Sequence, residues 1–206
     1  MKKSFFRKIR LAFSNPRVAL NWIKIRIFLK PFWLVKDHYF DKANGIRTRG
    51  EVAVKDLELS DVESLSHAVK YQPVPLAYLK VAFRHLKLNQ PGQTFVDIGC
   101  GRGRACFYAA PYFDEILGVD LSPSLVREAK SNLQSLSKPT SSKIRFEVAD
   151  AKEFTLPQTT CICYLFNPFD LVIMKQFIQN NLSNFLRYGS KVLYVNDIYR
   201  ESLIDF

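Results

Sequence analysis

Residues 93–120 leave this chain little choice of fold. Gln93–Ile98 is a short run of strand-forming residues with a carboxylate, Asp97, near its end. Gly99-Cys100-Gly101-Arg102-Gly103 is a glycine turn, Arg104–Ala110 suits a helix, and Ile116–Val119 is a second apolar run that stops on Asp120. Strand, glycine turn, helix, strand and acid predict a right-handed βαβ unit with a ligand edge at the carboxyl ends of its strands. A tight strand-to-helix connection between two surface acids would account for the same residues without a ligand.

The spacing narrows the ligand. A dinucleotide turn reads G-x-G-x-x-G and admits a pyrophosphate at the helix N-terminus. Here the glycines fall at 99, 101 and 103, position 104 is Arg, and Asp97 lies two residues before the first glycine. A carboxylate there repels a pyrophosphate and suits a cationic amino group. The pattern D-x-G-x-G-x-G followed by G-V-D resembles the class I S-adenosylmethionine-dependent methyltransferases, an α/β, Rossmann-like fold. The resemblance implies S-adenosyl-L-methionine as cofactor and no metal. It implies that Gly99, Cys100, Gly101 and Gly103 lie against the methionine part, Asp97 near its ammonium, and Asp120 with Leu121 at the ribose hydroxyls.

Later segments keep the order of that family. Ser122 can cap a helix that starts at Pro123 and runs to about Leu133. Lys143–Asp150 alternates as a third strand, with Ile144, Phe146 and Val148 inward. By resemblance Asp150, beside Ala151, reads the adenine amino group; as a bare residue it equally suits a helix N-cap. Thr160–Phe166 is a fourth, buried strand that runs into Asn167-Pro168-Phe169. The family presents its methyl acceptor at this point, and amino-group methyltransferases often carry [D/N]-P-P-[F/Y] there. This chain has one proline fewer, which is nearer to the N-x-F element of the histone-lysine methyltransferases of this fold and their small bacterial and mitochondrial relatives. The resemblance makes Asn167, Pro168 and Phe169 the catalytic candidates, although an Asn-Pro turn by itself needs no such role.

Leu171–Arg187 is patterned as one helix that Gly189 can end, and Lys191–Asn196 as a fifth strand. The family adds two more strands. The chain stops at Phe206, so the expectation is a sheet without them, in a shortened domain or a truncated chain. Its fifth-strand edge then needs a cover, from the N-terminal arm or from a second subunit in a dimer.

Charge divides the chain. Residues 1–50 hold 13 of the 30 Lys and Arg beside only Asp37 and Asp41, while the 17 basic and 17 acidic groups of residues 51–206 cancel. The net charge of +11 therefore belongs to the N-terminal segment. The expected organisation is a basic aromatic arm over 1–50, a helical lid segment over 51–92 and the cofactor-binding domain over 93–206. Residues 1–35 mix Phe, Trp and Ile with Lys and Arg, without the ~18 uninterrupted apolar residues of a spanning helix or the pattern of a secretory signal. Asn15 and Pro16 can start a helix that Pro31 ends. Three readings of this arm stay open: a cover for the domain, an interfacial helix on an anionic membrane, and a nucleic-acid contact.

Asp37–Glu51 reads as a loop, Val52–Leu59 as a short strand, Ser60–Glu63 as a capping box and Leu76–Leu88 as a helix. By resemblance Tyr71 is a lid residue over the methionine end. The four cysteines, at 100, 106, 161 and 163, fit neither a zinc spacing nor a disulfide framework. They read as reduced core thiols of a cytoplasmic protein, peripheral on the inner membrane face if the arm binds lipid.

His38, His67 and His85 all precede the core strands and read as surface or packing residues, so no base stands out. A hydroxyl acceptor requires one, which favours nitrogen. The expected function is methyl transfer to an amino group, protein lysine first. A glycan or lipid-linked intermediate at a membrane surface comes next. A non-catalytic nucleic-acid-binding module on a Rossmann-like body is the third reading.

Overall fold

The computed structural model describes residues 30–59, 67–84, 86, 92–137, 140, 142–196, 198, 199, 202 and 203. Five strands, β1 (Thr94–Ile98), β2 (Glu115–Asp120), β3 (Lys143–Val148), β4 (Cys161–Leu165) and β5 (Lys191–Tyr194), form one parallel sheet in the order β3-β2-β1-β4-β5. The order reverses between β1 and β4, where open α/β sheets hold their ligands. These two central strands are buried along their whole length, which is why they read as unbroken apolar runs. The register sets Asp97 opposite Gly118 and Tyr164, and Asp120 opposite Val148, so both acids reach the carboxyl edge of the sheet.

The helices are α1 (Lys30–Asn44), α2 (Leu76–Arg84), α3 (Arg104–Ala109), α4 (Pro123–Gln134), α5 (Leu171–Asn180) and α6 (Leu182–Tyr188). One face of the sheet, with Phe95, Ile116, Ile144 and Tyr164, packs with Leu79, Phe83, Phe107 and Val126 of α2, α3 and α4. The other, with Val96, Val119, Cys163 and Leu165, packs with Ile173, Met174 and Phe177 of α5. All four cysteines are buried free thiols. Ser122 caps α4 as expected, accepting from the Leu125 N–H at 3.3 Å, with Pro123 in the first turn. No helix among the described residues is long and apolar enough to cross a membrane.

Four local expectations change. The loop expected over Asp37–Glu51 is instead helical as far as Asn44, where Gly45 turns the chain at φ +69°. Asp37 and Asp41 lie one helical turn apart and face inward to the buried Arg104. Arg104 donates from Nη1 to Asp37 Oδ2 and from Nε to Thr48 Oγ1, each at 2.7 Å, and its Nη2 lies 3.8 Å from Asp41 Oδ1. This network, with Ile46 in the core, fastens residues 37–48 to the domain. The strand expected over Val52–Leu59 is reduced to a bridge between Val52 and Tyr71 and a 3-10 turn at Val54–Asp56.

The single helix expected over Leu171–Arg187 breaks at Asn181. Its buried side chain accepts from the Leu156 N–H at 2.7 Å and donates to the carbonyls of Phe154 and Phe177 at 2.9 Å, tying the break to the loop after β3. Leu182, expected on the apolar side, is consequently half exposed. Val148 is also half exposed, as the last residue of the outermost strand. The expected helix start at Asn15 and Pro16, the capping box over Ser60–Glu63, and His85 lie outside the described residues.

Candidate active site

A cavity of about 320 Å3 opens at the carboxyl ends of β1, β2 and β4. Its walls include Asp97, Gly99, Cys100, Asp120, Leu121, Asp150 and Ala151 from the sheet side, Asn167, Pro168 and Phe169 after β4, and a strap, His67–Val74, laid across the mouth. A bridge between Ala68 and Phe169 fastens the strap to the loop after β4.

The glycine turn is shaped by this chain's own side chains. Gly99 and Gly101 have φ of +78° and +53°. A Cβ on Gly99 would stand 2.3 Å from Pro168 Cβ, and one on Gly101 would stand 2.1 Å from the Tyr71 ring. The Asn167-Pro168 turn and the strap therefore rest directly on the glycine backbone. Tyr71 is fixed there by a hydrogen bond from its hydroxyl to the Thr48 carbonyl at 2.8 Å, and the Arg102 guanidinium lies 5.3 Å from its ring centroid. Burial pushes its phenol well above the usual range. Gly103 caps α3 at φ +84° and packs against Phe146, without lining the cavity.

The two acids differ in their partners. Asp120 Oδ2 accepts from the Gly101 N–H at 2.8 Å and Oδ1 from the Ser122 N–H at 2.9 Å. Each oxygen keeps a lone pair for a vicinal diol. Burial raises its pKa, and these two backbone bonds oppose the rise. Asp97 is 3% exposed. Burial pushes its carboxyl up to about 7; the weak Cys106 thiol hydrogen bond, at 3.6 Å, opposes this, and the Asp120 charge adds to it. On the cavity wall two buried donors, Arg104 Nη2 and Tyr164 Oη, make no hydrogen bond among the described residues. A buried carboxylate without a cation, in a cavity also lined by donors without an acceptor, fits an α-amino acid, whose ammonium and carboxylate would complete both.

Asp150 accepts at Oδ1 from the Lys152 N–H at 3.0 Å, so it caps its own turn while lining the cavity. Asn167 adopts φ +51°, and its Oδ1 accepts from the Tyr194 hydroxyl at 3.1 Å. That bond ties the loop after β4 to the end of β5. Phe169 is buried against the α5 side of the core.

Of the histidines read as surface or packing residues, His38 is exposed as expected, but His67 is not in the background. His67 lines the cavity, and its Nδ1 lies 2.5 Å from Asp170 Oδ2. Asp170 Oδ1 meanwhile caps α5, accepting from the N–H groups of Val172 and Ile173. Partial burial pushes the Asp170 carboxyl up, but hydrogen bonds from His67, Ile173 and Val172 outweigh this and hold it below the usual range. Asp170 could be read as an N-cap before Leu171–Met174, but its pairing with a histidine 103 residues earlier leaves no local trace. Arg104 was visible only as an odd residue in a helix start; its roles depend on α1.

The model of a methyltransferase-domain family matches residues 89–199. The probable S-adenosylmethionine-dependent methyltransferase CRG1 of Saccharomyces cerevisiae is 38% identical over 65 residues, 31% of this chain and 21% of that protein. Phosphoethanolamine N-methyltransferase 3 of Arabidopsis thaliana is 32% identical over 114 residues, 50% of this chain and 21% of that protein. The chain spans about a fifth of the length of the curated relatives it matches. A crystal structure of an S-adenosylmethionine-dependent methyltransferase from Clostridium acetobutylicum superimposes with a TM-score of 0.45 at 20% identity, over 62% of this chain and 52% of that one. With the family model covering more than half of its length, and with this sheet order and this pair of acids, the chain belongs to the S-adenosylmethionine-dependent methyltransferases.

Proposed function

We propose that the protein transfers a methyl group from S-adenosylmethionine to the amino nitrogen of a small molecule. Asn167 carries this reading: it stands at the carboxyl end of β4 on the cavity wall, with its side-chain oxygen held by Tyr194. A second lone pair on that oxygen can accept an acceptor N–H. The relatives named as phosphoethanolamine N-methyltransferases, 31–34% identical over about half of this chain, favour a small amine over the protein lysine expected first.

The cofactor supplies an already activated methyl group on a sulfonium. The protein's task is then to orient and desolvate, and alignment of this kind is worth roughly 7–11 kcal/mol. In this reading Asp97 holds the methionine ammonium, while Arg104 Nη2 and Tyr164 Oη receive its carboxylate. Asp120 accepts from the ribose hydroxyls. Asn167 and Phe169 seat the acceptor. His67, held by Asp170 through Nδ1, takes up the proton that an ammonium acceptor must lose. Tyr71 and the strap exclude water from above the glycine turn.

The test pairs calorimetry with transfer of labelled methyl groups into a deproteinised lysate. Asn167→Ala should bind S-adenosylhomocysteine as the wild type does and lose turnover. Full turnover in that variant would remove Asn167 from the site. Label appearing only in the protein fraction of an untreated lysate would overturn the small-molecule acceptor.

A further inference from the structure

Helix α1 is inverted. Its two acids, Asp37 and Asp41, are buried at 5% and 3% exposure and paired with Arg104, while Phe32, Leu34, Val35 and Tyr39 stand 52–64% exposed. Soluble helices bury the apolar stripe and expose the charges. Phe32, Val35 and Tyr39, at i, i+3 and i+7, share one face over two turns and form a patch of the kind that marks an interaction surface.

The charges around this patch have one sign. Lys36 and Lys42 are exposed on α1, and Lys36 Nζ lies 4.3 Å from the centroid of the Phe32 ring. Helix α2 packs beside α1 through Trp33 and Tyr78, whose ring centroids are 5.5 Å apart. It exposes Val81 with Lys80 and Arg84 and contains no acid. Neither helix offers an exposed carboxylate. The segment that precedes α1 carries eight more Lys and Arg, up to Arg26, and no acid. Apolar side chains at the centre with lysines around them match the acyl and headgroup layers of an anionic bilayer.

We infer that the outer face of α1 is a docking surface for an anionic membrane. The buried Arg104 network explains how the inversion is tolerated: the acids are neutralised inside, which frees the outer face for lipid. The surface adjoins the site, because Tyr78 also lies 6.1 Å, ring to ring, from Phe166 of the cavity wall. The inference stands on this surface alone and does not depend on the identity of the methyl acceptor.

Vesicle flotation of the full chain tests it, with phosphatidylcholine vesicles and with the same vesicles containing phosphatidylserine. The wild type should float with the anionic vesicles and not with the neutral ones. Val35→Ser/Tyr39→Ser should lower partitioning about a hundredfold, and Lys36→Glu/Lys42→Glu at least about tenfold. S-adenosylhomocysteine binding by both double variants shows that they are folded. Absence of flotation by the wild type overturns the inference, as does undiminished flotation of either folded variant. A dimer in sedimentation that Val35→Ser/Tyr39→Ser dissociates would assign the face to a second copy of the chain and overturn it equally.

Discussion

Asp97 should make cofactor binding depend on pH in a way that identifies it. The perturbation is the approach of an ammonium to a buried carboxyl whose pKa stands at about 7. Only the ionised form pairs with the cation. At pH 6 roughly one protein in ten has Asp97 ionised, and at pH 8 roughly nine in ten. A bound ammonium pulls the pKa back towards the ordinary carboxylate range near 4, so affinity for S-adenosylhomocysteine should rise about tenfold from pH 6 to pH 8 and then level off. Calorimetry across this range reads the effect directly, and binding below pH 7 should release close to one proton. 5′-Methylthioadenosine, which lacks the amino acid, should bind without that slope, and Asp97→Asn should flatten the slope for S-adenosylhomocysteine.

The same shift has a cost in stability. Because the folded protein holds this proton from 3.8 up to about 7, the contribution of Asp97 to stability is highest below 3.8 and declines as pH rises through 7, by up to about 4 kcal/mol. Asp97→Asn should therefore melt higher than the wild type above pH 7 and lose that advantage in acid. A wild-type affinity flat from pH 6 to pH 8, with the same flat profile in Asp97→Asn, would refute the placement of the ammonium at Asp97.

Two further perturbations probe other parts of the site. His67→Gln should lower turnover with an ammonium acceptor by roughly 10^2–10^4-fold while S-adenosylhomocysteine binding stays unchanged, and added imidazole should restore part of the rate; unaltered turnover would leave the proton with solvent. Gly101→Ala places a Cβ 2.1 Å from the Tyr71 ring and should cost about 1–3 kcal/mol in thermal unfolding beyond Gly92→Ala. Gly92 also has a left-handed φ, +84° against +53° at Gly101, but open space around it, so equal losses would show that backbone strain acts and strap docking does not.

The parts of this protein that are legible in the sequence are those whose causes are local. β1 and β2 with their terminal acids, the Ser122 cap and the left-handed Gly189 each follow from residues within a few positions of one another. What could not be read depends on pairings across the chain. Asp37 and Asp41 look like loop acids until Arg104, more than 60 residues later, supplies the charge that turns them inward and lets the helix run on. Asn181 looks like one polar position in a long apolar helix until the loop after β3 supplies the backbone groups it bonds. His67 looks like a surface residue until α5 brings Asp170 to its ring. The glycines show the limit from the other side: their spacing pointed to close backbone approach, but the sequence could not say that Tyr71 and Pro168 approach them from above. The strap, the loop after β4 and the glycine turn thus bear on the same few atoms, so a change in any one should be felt in the other two.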